Sequence, residues 1–146
     1  MRSATLVCCV ALLGACNDLR DFRGSWDGHR VGDAPVLRVG VTATARATLQ
    51  VEDVDTHGLH ARLAIDGVLP ATEILSLEGA EADALAGMTF AGSPLRVFLA
   101  FAPMPDGAGD ALVVIGLFDD RRIDLRIMRQ GSSPLYAIFA LAEHPP

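Results

Sequence analysis

The chain has no lysine. Its twelve basic residues are all arginine, set against eighteen Asp and Glu, and the formal charge is −6. Clustered positive charge is what coats a phosphate backbone, and its lack excludes a DNA- or RNA-coating role. Aromatic residues are scarce, at 5% of the chain, with one Trp and one Tyr. A transmembrane β-barrel carries aromatic girdles at both interfaces, so that class is not expected either. No Gly-x-Ser-x-Gly nucleophile elbow occurs. Gly24, Gly28 and Gly32 are spaced by four and run into a strand rather than a helix, so they form no phosphate-binding loop. What is present is apolar: 51% of 146 residues, with 21% charged. The apolar share is too high for a disordered chain and the charge too high for a multi-span membrane protein. The length suits one domain.

The N-terminus reads as an address. Met1-Arg2 supplies one positive charge, residues 3 to 17 carry none, and Ala4 to Leu13 is strongly apolar. This is the layout of a secretory signal peptide, and it is too short for a membrane span of about 20 residues. It ends in Leu13-Gly14-Ala15-Cys16. That tetrapeptide resembles the lipobox of bacterial lipoproteins: a branched apolar residue, two small residues, then the Cys that receives the lipid. The resemblance implies a signal peptide over 1–15 that is cut off, and diacylglycerol on the Cys16 thiol with an acylated (palmitate-type) amine. It implies a partner too, the membrane reached through the lipid anchor, and a place in the bacterial cell envelope. Asn17, rather than Asp, favours the outer membrane. With Cys8 and Cys9 in the leader and Cys16 as anchor, the mature chain has no free thiol, which rules out thiol catalysis and Cys-ligated metals.

Residues 16–23 then form a lipidated tether, and 24–146 a single β domain. Leu37, Val39, Val41, Ala43, Ala45, Ala47, Leu49 and Val51 are apolar at every second position, with polar or small residues between. Strict period-two alternation means strand, one face buried and one wet. One straight strand of this length would reach roughly 50 Å, so a bulge, bend or turn is expected near Gly40 to Thr44. Asp55-Thr56-His57-Gly58 is a turn, and Leu59 to Ile65 resumes the alternation to make a hairpin. Asp66-Gly67 and Pro70 end it. Leu75 to Leu77 is a short strand candidate, Glu78 to Ala86 a helical turn, and Met88 to Phe90 another short strand. Leu95–Ala102, from Val97 onward, and Leu112–Phe118 are apolar on both faces, as in strands covered on two sides or facing a lipid, ligand or partner. Ile123 to Ile127 alternates, and Leu135 to Leu141 closes the chain.

This pattern predicts an all-β fold. It is an antiparallel barrel or barrel-like sheet of about eight to ten strands, with a two-sheet β-sandwich as the alternative. Gly24-Ser25-Trp26 is similar to the Gly-x-Trp signature near the first strand of lipocalin-like barrels, where the Trp plugs the closed end.

The candidate chemistry is thin. His57 and His60 would need Asp55 as a third metal ligand, and histidines in a polar turn are usually solvated. Asp106 and Asp110 flank glycines but are too sparse for calcium. Asp119-Asp120 reads as a solvated turn rather than an acid pair, because adjacent residues point to different sides. No catalytic residue, metal or cofactor is assigned, and no enzyme activity is expected. Two functions remain. One is a membrane-anchored, non-catalytic envelope lipoprotein that docks onto an envelope protein partner. The alternative is a lipocalin-like carrier of a small apolar ligand. The candidate ligand-binding residues are Trp26, Val97, Leu99, Phe101, Val113 and Ile115, and the docking reading rests on the strands Leu95–Ala102 and Leu112–Phe118.

Overall fold

A computed structural model of the protein describes residues 18–32, 40–78, 90 and 92–144. The leader, Cys16, residues 37–39 of the long alternating run, most of the helical turn expected from Glu78, and residues 88 and 89 of the short strand expected before Gly92 lie outside the described residues.

The fold is all-β and antiparallel. The eight strands are β1 (Gly24–Arg30), β2 (Arg46–Val54), β3 (Leu59–Ile65), β4 (Leu69–Leu75), β5 (Arg96–Pro103), β6 (Asp110–Leu117), β7 (Arg122–Arg129) and β8 (Leu135–Glu143). They form one sheet in the order β4-β3-β2-β1-β8-β7-β6-β5. Chain neighbours pair, and β1 also pairs with β8, so the sheet curls into an up-and-down barrel. A two-sheet sandwich is not formed. Closure is almost complete. At the remaining seam Ser76 bridges Ala100, and the Leu77 N–H donates to the Leu99 carbonyl at 2.7 Å.

The long alternating run divides where its length requires. Gly40 takes a left-handed φ of 72°, and the chain turns before β2 begins at Arg46. Over β2, Ala47, Leu49 and Val51 point into the core while Arg46, Thr48, Gln50 and Glu52 face out. The β2–β3 turn is fixed by Asp55, whose Oδ1 accepts the N–H groups of His57 (2.7 Å) and Gly58 (3.0 Å). One expectation fails here. The hairpin ends at Asp66-Gly67, β3 stopping at Ile65, but Pro70 is not part of that end: it lies inside a further strand, β4, which pairs in the ladder on one side only, with β3. An edge strand tolerates a residue without an N–H, because one row of its backbone groups has no ladder to complete. A second correction concerns the tether. Leu19–Phe22 is a 3-10 helix capped by the Asp18 side chain, and Phe22 is buried, so the folded domain begins before Gly24.

That helix closes one end of the barrel. Phe22 stacks on Trp26 with ring centroids 5.5 Å apart, and the Trp26 Nε1–H donates to the Phe22 carbonyl at 2.8 Å. The Arg121 guanidinium lies 5.9 Å from the Trp26 ring centre. It also donates to the Asp21 carbonyl (3.0 Å) and the Glu143 carboxylate (2.7 Å), tying the helix, the β6–β7 turn and the end of β8 together.

The interior is filled. Along β5 to β8 the inward side chains Ala100, Ala102, Ala111, Val113, Ile115, Leu117, Ile123, Leu125, Ile127, Ala137 and Phe139 have no exposed surface. Across the barrel Ala47, Leu49, Ala61 and Leu63 have none either. A ligand-sized void would leave accessible surface on the atoms lining it. The alanines instead make room for Trp26, Phe98 and Phe139, the alternation of small and large that a narrow barrel needs.

The β1–β8 junction depends on one glycine. A Cβ at Gly28 would sit 1.9 Å from the Ala140 carbonyl oxygen, so only a residue without a side chain lets the two strands approach. Gly28→Ala must therefore displace the β8 backbone. The expected cost is about 3 kcal/mol of unfolding free energy, read as a lowered urea midpoint with an unchanged slope. A midpoint equal to that of the wild type would show that the junction is not tight.

Candidate functional site

Alternation gives a barrel two surfaces, and here the outer one is divided in kind. Over β1 to β4 it is polar. Asp27 pairs with Arg46 and accepts from His144 Nδ1 at 3.0 Å, and both partners hold its carboxyl below the usual range, Arg46 most. His60 Nε2 lies 2.7 Å from Glu73, and Arg62 faces Glu52 at 3.7 Å. Over β5, β6 and β8 most outward positions are apolar, and together with Met128 of β7 they form two levels.

The level nearer the plugged end is covered by the chain itself. Leu99 and Val114, paired across β5 and β6, point outward and yet are 3% and 2% exposed. Beside them the Phe90 ring lies over Gly116, within 3.0–3.1 Å of where a Cβ would stand. Phe90 meets Phe118 edge to face at 5.9 Å. Arg126 and Arg122 lie over the Phe90 and Phe118 rings at 4.5 and 4.3 Å from their centres. Asp124 sits in this level, where burial raises its carboxyl above the ordinary range although Arg122 donates to it at 3.1 Å.

Among the described residues nothing covers the other level. Phe101 pairs with Leu112, Leu112 with Met128, and Met128 with Tyr136, giving one row of large side chains across four strands. At about 4.8 Å per strand the row is roughly 14 Å wide. The bridge between Ser76 and Ala100 places Leu75 opposite Phe101 and extends the row over the seam. Phe101 is 49% exposed and Leu75 61%. The row floors a groove of about 710 Å³, bordered by Asp110, Gln130, Pro134 and Leu135. Arg129 closes its lower corner: it holds Asp106 through two bonds of 2.8 and 2.9 Å and donates from Nε to the Ser133 carbonyl at 2.9 Å.

The six contact residues expected from the sequence are not brought together. Trp26, Val113 and Ile115 belong to the packed interior. Val97, Leu99 and Phe101 lie on the outward side of β5, and of these three only Phe101 lines the groove. Trp26 is a plug with its N–H satisfied by Phe22. Leu112, Met128 and Tyr136 were missed. The signal was there: Met128 stands where Arg122, Asp124 and Arg126 set a polar outward face, and β8 is apolar on both sides.

The other polar clusters do not assemble into chemistry. Asp55 is taken up by its own turn, and Asp106 by Arg129 and the Ala108 N–H. Among the described residues no three His, Cys, Asp or Glu are placed to hold a metal ion, and no helix is long and apolar enough to cross a membrane. Compared with known proteins, the chain matches no family model, no curated protein and no solved structure.

The ion pair in the corner beneath the groove predicts a dependence on acid. The Arg129 guanidinium, first, and the Ala108 N–H hold the Asp106 carboxyl below its usual range. A carboxylate with a depressed folded value contributes stability above its unfolded value, and that contribution disappears as pH falls through the folded one. The melting temperature of Asp106→Asn is therefore expected below that of the wild type at pH 7. The gap should narrow as pH drops beneath about 4. A gap constant from pH 7 to pH 2 would mean that the ion pair contributes nothing.

Proposed function

We propose that the protein is a membrane-anchored envelope lipoprotein whose β domain is a non-catalytic docking module. One observation carries the reading: the described barrel interior is packed with side chains, while on its outer wall the row Phe101–Leu112–Met128–Tyr136 is exposed at Phe101 and half-buried along the rest. Contiguous apolar surface rimmed by polar groups is the usual mark of a partner site. A carrier of the lipocalin-like kind needs room inside, and the described interior offers none. The leader Leu13-Gly14-Ala15-Cys16 supplies the anchor in this reading, with Cys16 as the lipid-bearing residue and the outer membrane as the place. A tethered domain then searches for its partner at high local concentration, which lets a small surface suffice.

Two measurements test it in the native membrane. Cys16→Ser is expected to move the protein from the membrane fraction to the soluble fraction and to abolish labelling by radioactive palmitate. Unchanged fractionation would remove the anchor. A photo-reactive residue at Phe101 is expected to give a discrete cross-linked adduct in intact envelopes, and one at Thr48 on the polar wall none. Absence of any adduct at Phe101, with the barrel folded by circular dichroism, would remove the docking role.

A further inference from the structure

The groove on the outer wall is specified beyond being apolar, and this inference rests on the docking reading above. Asp110 stands at its lower border, paired in register with Pro103, outward on the same strand as Leu112. It is exposed, and among the described residues its side chain makes no hydrogen bond or ion pair. The nearest cation lining the groove is Arg129, whose charge is already matched by Asp106. Arg126, one level up, does not line the groove and lies over Phe90. The groove therefore has an apolar floor and one uncompensated negative edge.

Several occupants are disfavoured by the same facts. An anionic membrane surface meets a chain of net charge −6 with no lysine and no unmatched cation at the groove. A second copy would bring another chain of net charge −6 against the groove's negative edge. A row roughly 14 Å wide also falls short of the roughly 800 Å² per partner of a stable interface. A strand added at the seam would meet proline on both edges, Pro70 on β4 and Pro103 on β5, the device by which sheet edges are blunted. What fits is narrow, apolar and cationic at one end.

We propose that the groove binds a short segment of an envelope protein that presents two or three apolar side chains followed by a Lys or Arg. The apolar side chains lie on Phe101, Leu112, Met128 and Tyr136, and the cation pairs with Asp110. The apolar contact supplies most of the affinity. The exposed ion pair supplies register and discrimination, because a surface pair contributes little on its own.

The test uses the full-length lipidated protein in zwitterionic nanodiscs and three fluorescein-labelled, C-terminally amidated peptides. These share the core Leu-Thr-Leu-Thr-Leu and end in Lys, norleucine or Glu. At low salt the Lys peptide is expected to bind about fivefold more tightly than the Glu peptide by fluorescence anisotropy, with norleucine between them. Asp110→Asn is expected to bring the three together, and Asp110→Lys to reverse their order. Phe101→Ser, at an exposed position, is expected to weaken all three. Equal binding of the three peptides to the wild-type protein, with loss in Phe101→Ser, would overturn the cationic specificity and leave the docking face intact. A Lys preference that survives Asp110→Asn would overturn the role of Asp110. Failure of every peptide to bind would overturn the proposal together with the peptide-docking form of the reading beneath it.

Discussion

Closing an eight-stranded sheet on itself leaves an interior about wide enough for side chains to fill. Everything else in this molecule follows from how that narrow space is used. The chain fills it. Trp26 and Phe22 close one end, Phe98 and Phe139 fill the middle, and a series of alanines keeps the walls close enough to touch them. The Gly28–Ala140 approach has the same origin, since β1 and β8 must come together to complete the curl. Filled in this way, the described interior leaves no room for a ligand, which is why recognition is proposed for the outside.

The outside is where the sequence departs from simple alternation. Strands β2 and β3 carry the ordinary pattern, apolar inward and charged outward, and they meet water. Strands β5, β6 and β8 are apolar on both faces, which a solvated barrel wall does not require. Part of the excess is used internally. Phe90 lies over Gly116, and Arg126 and Arg122 spread over the rings of Phe90 and Phe118, so the level holding Leu99 and Val114 acts as a second, external core. The level below receives no such cover from the described residues. The two levels differ in what the same chain lays over them rather than in residue type.

This contrast sets what can be read from residues alone. The hairpin of β2 and β3 was legible because one face was apolar and the other was not, which fixes both strand and orientation. The barrel class was legible from the number of short strands and the turns between them. Strand β4 was not: Pro70 follows closely on Gly67, and the register shift between Leu63 and Ile65 puts its inward residues Leu69 and Ile74 out of step with strict alternation. In β5 and β6 the strands were visible, but their facing was not. Where both faces are apolar, nothing in the sequence tells the core side from the wall. Val97, Leu99 and Phe101 therefore stood beside Val113 and Ile115 as one candidate set, while the folded chain puts them on opposite sides of the sheet. Phe90 could not have been assigned as the cover, because the contact joins residues across a long connection and depends on the missing Cβ of Gly116.

The charge distribution follows the same division. Most of the acid on the polar wall is matched at close range: Asp27 by Arg46 and His144, Asp53 by Arg23, Glu143 by Arg121. At the groove the balance is different, because Arg129 is fully engaged by Asp106 and Asp110 is left alone beside apolar side chains. An isolated exposed carboxylate adds little to folding stability. Next to a desolvating partner it discriminates, because a like charge brought to the same place would lose its hydration without compensation. In the proposed docking, an acid that adds little to stability is thus placed to select a partner, at the edge of a large apolar row that the described residues leave uncovered.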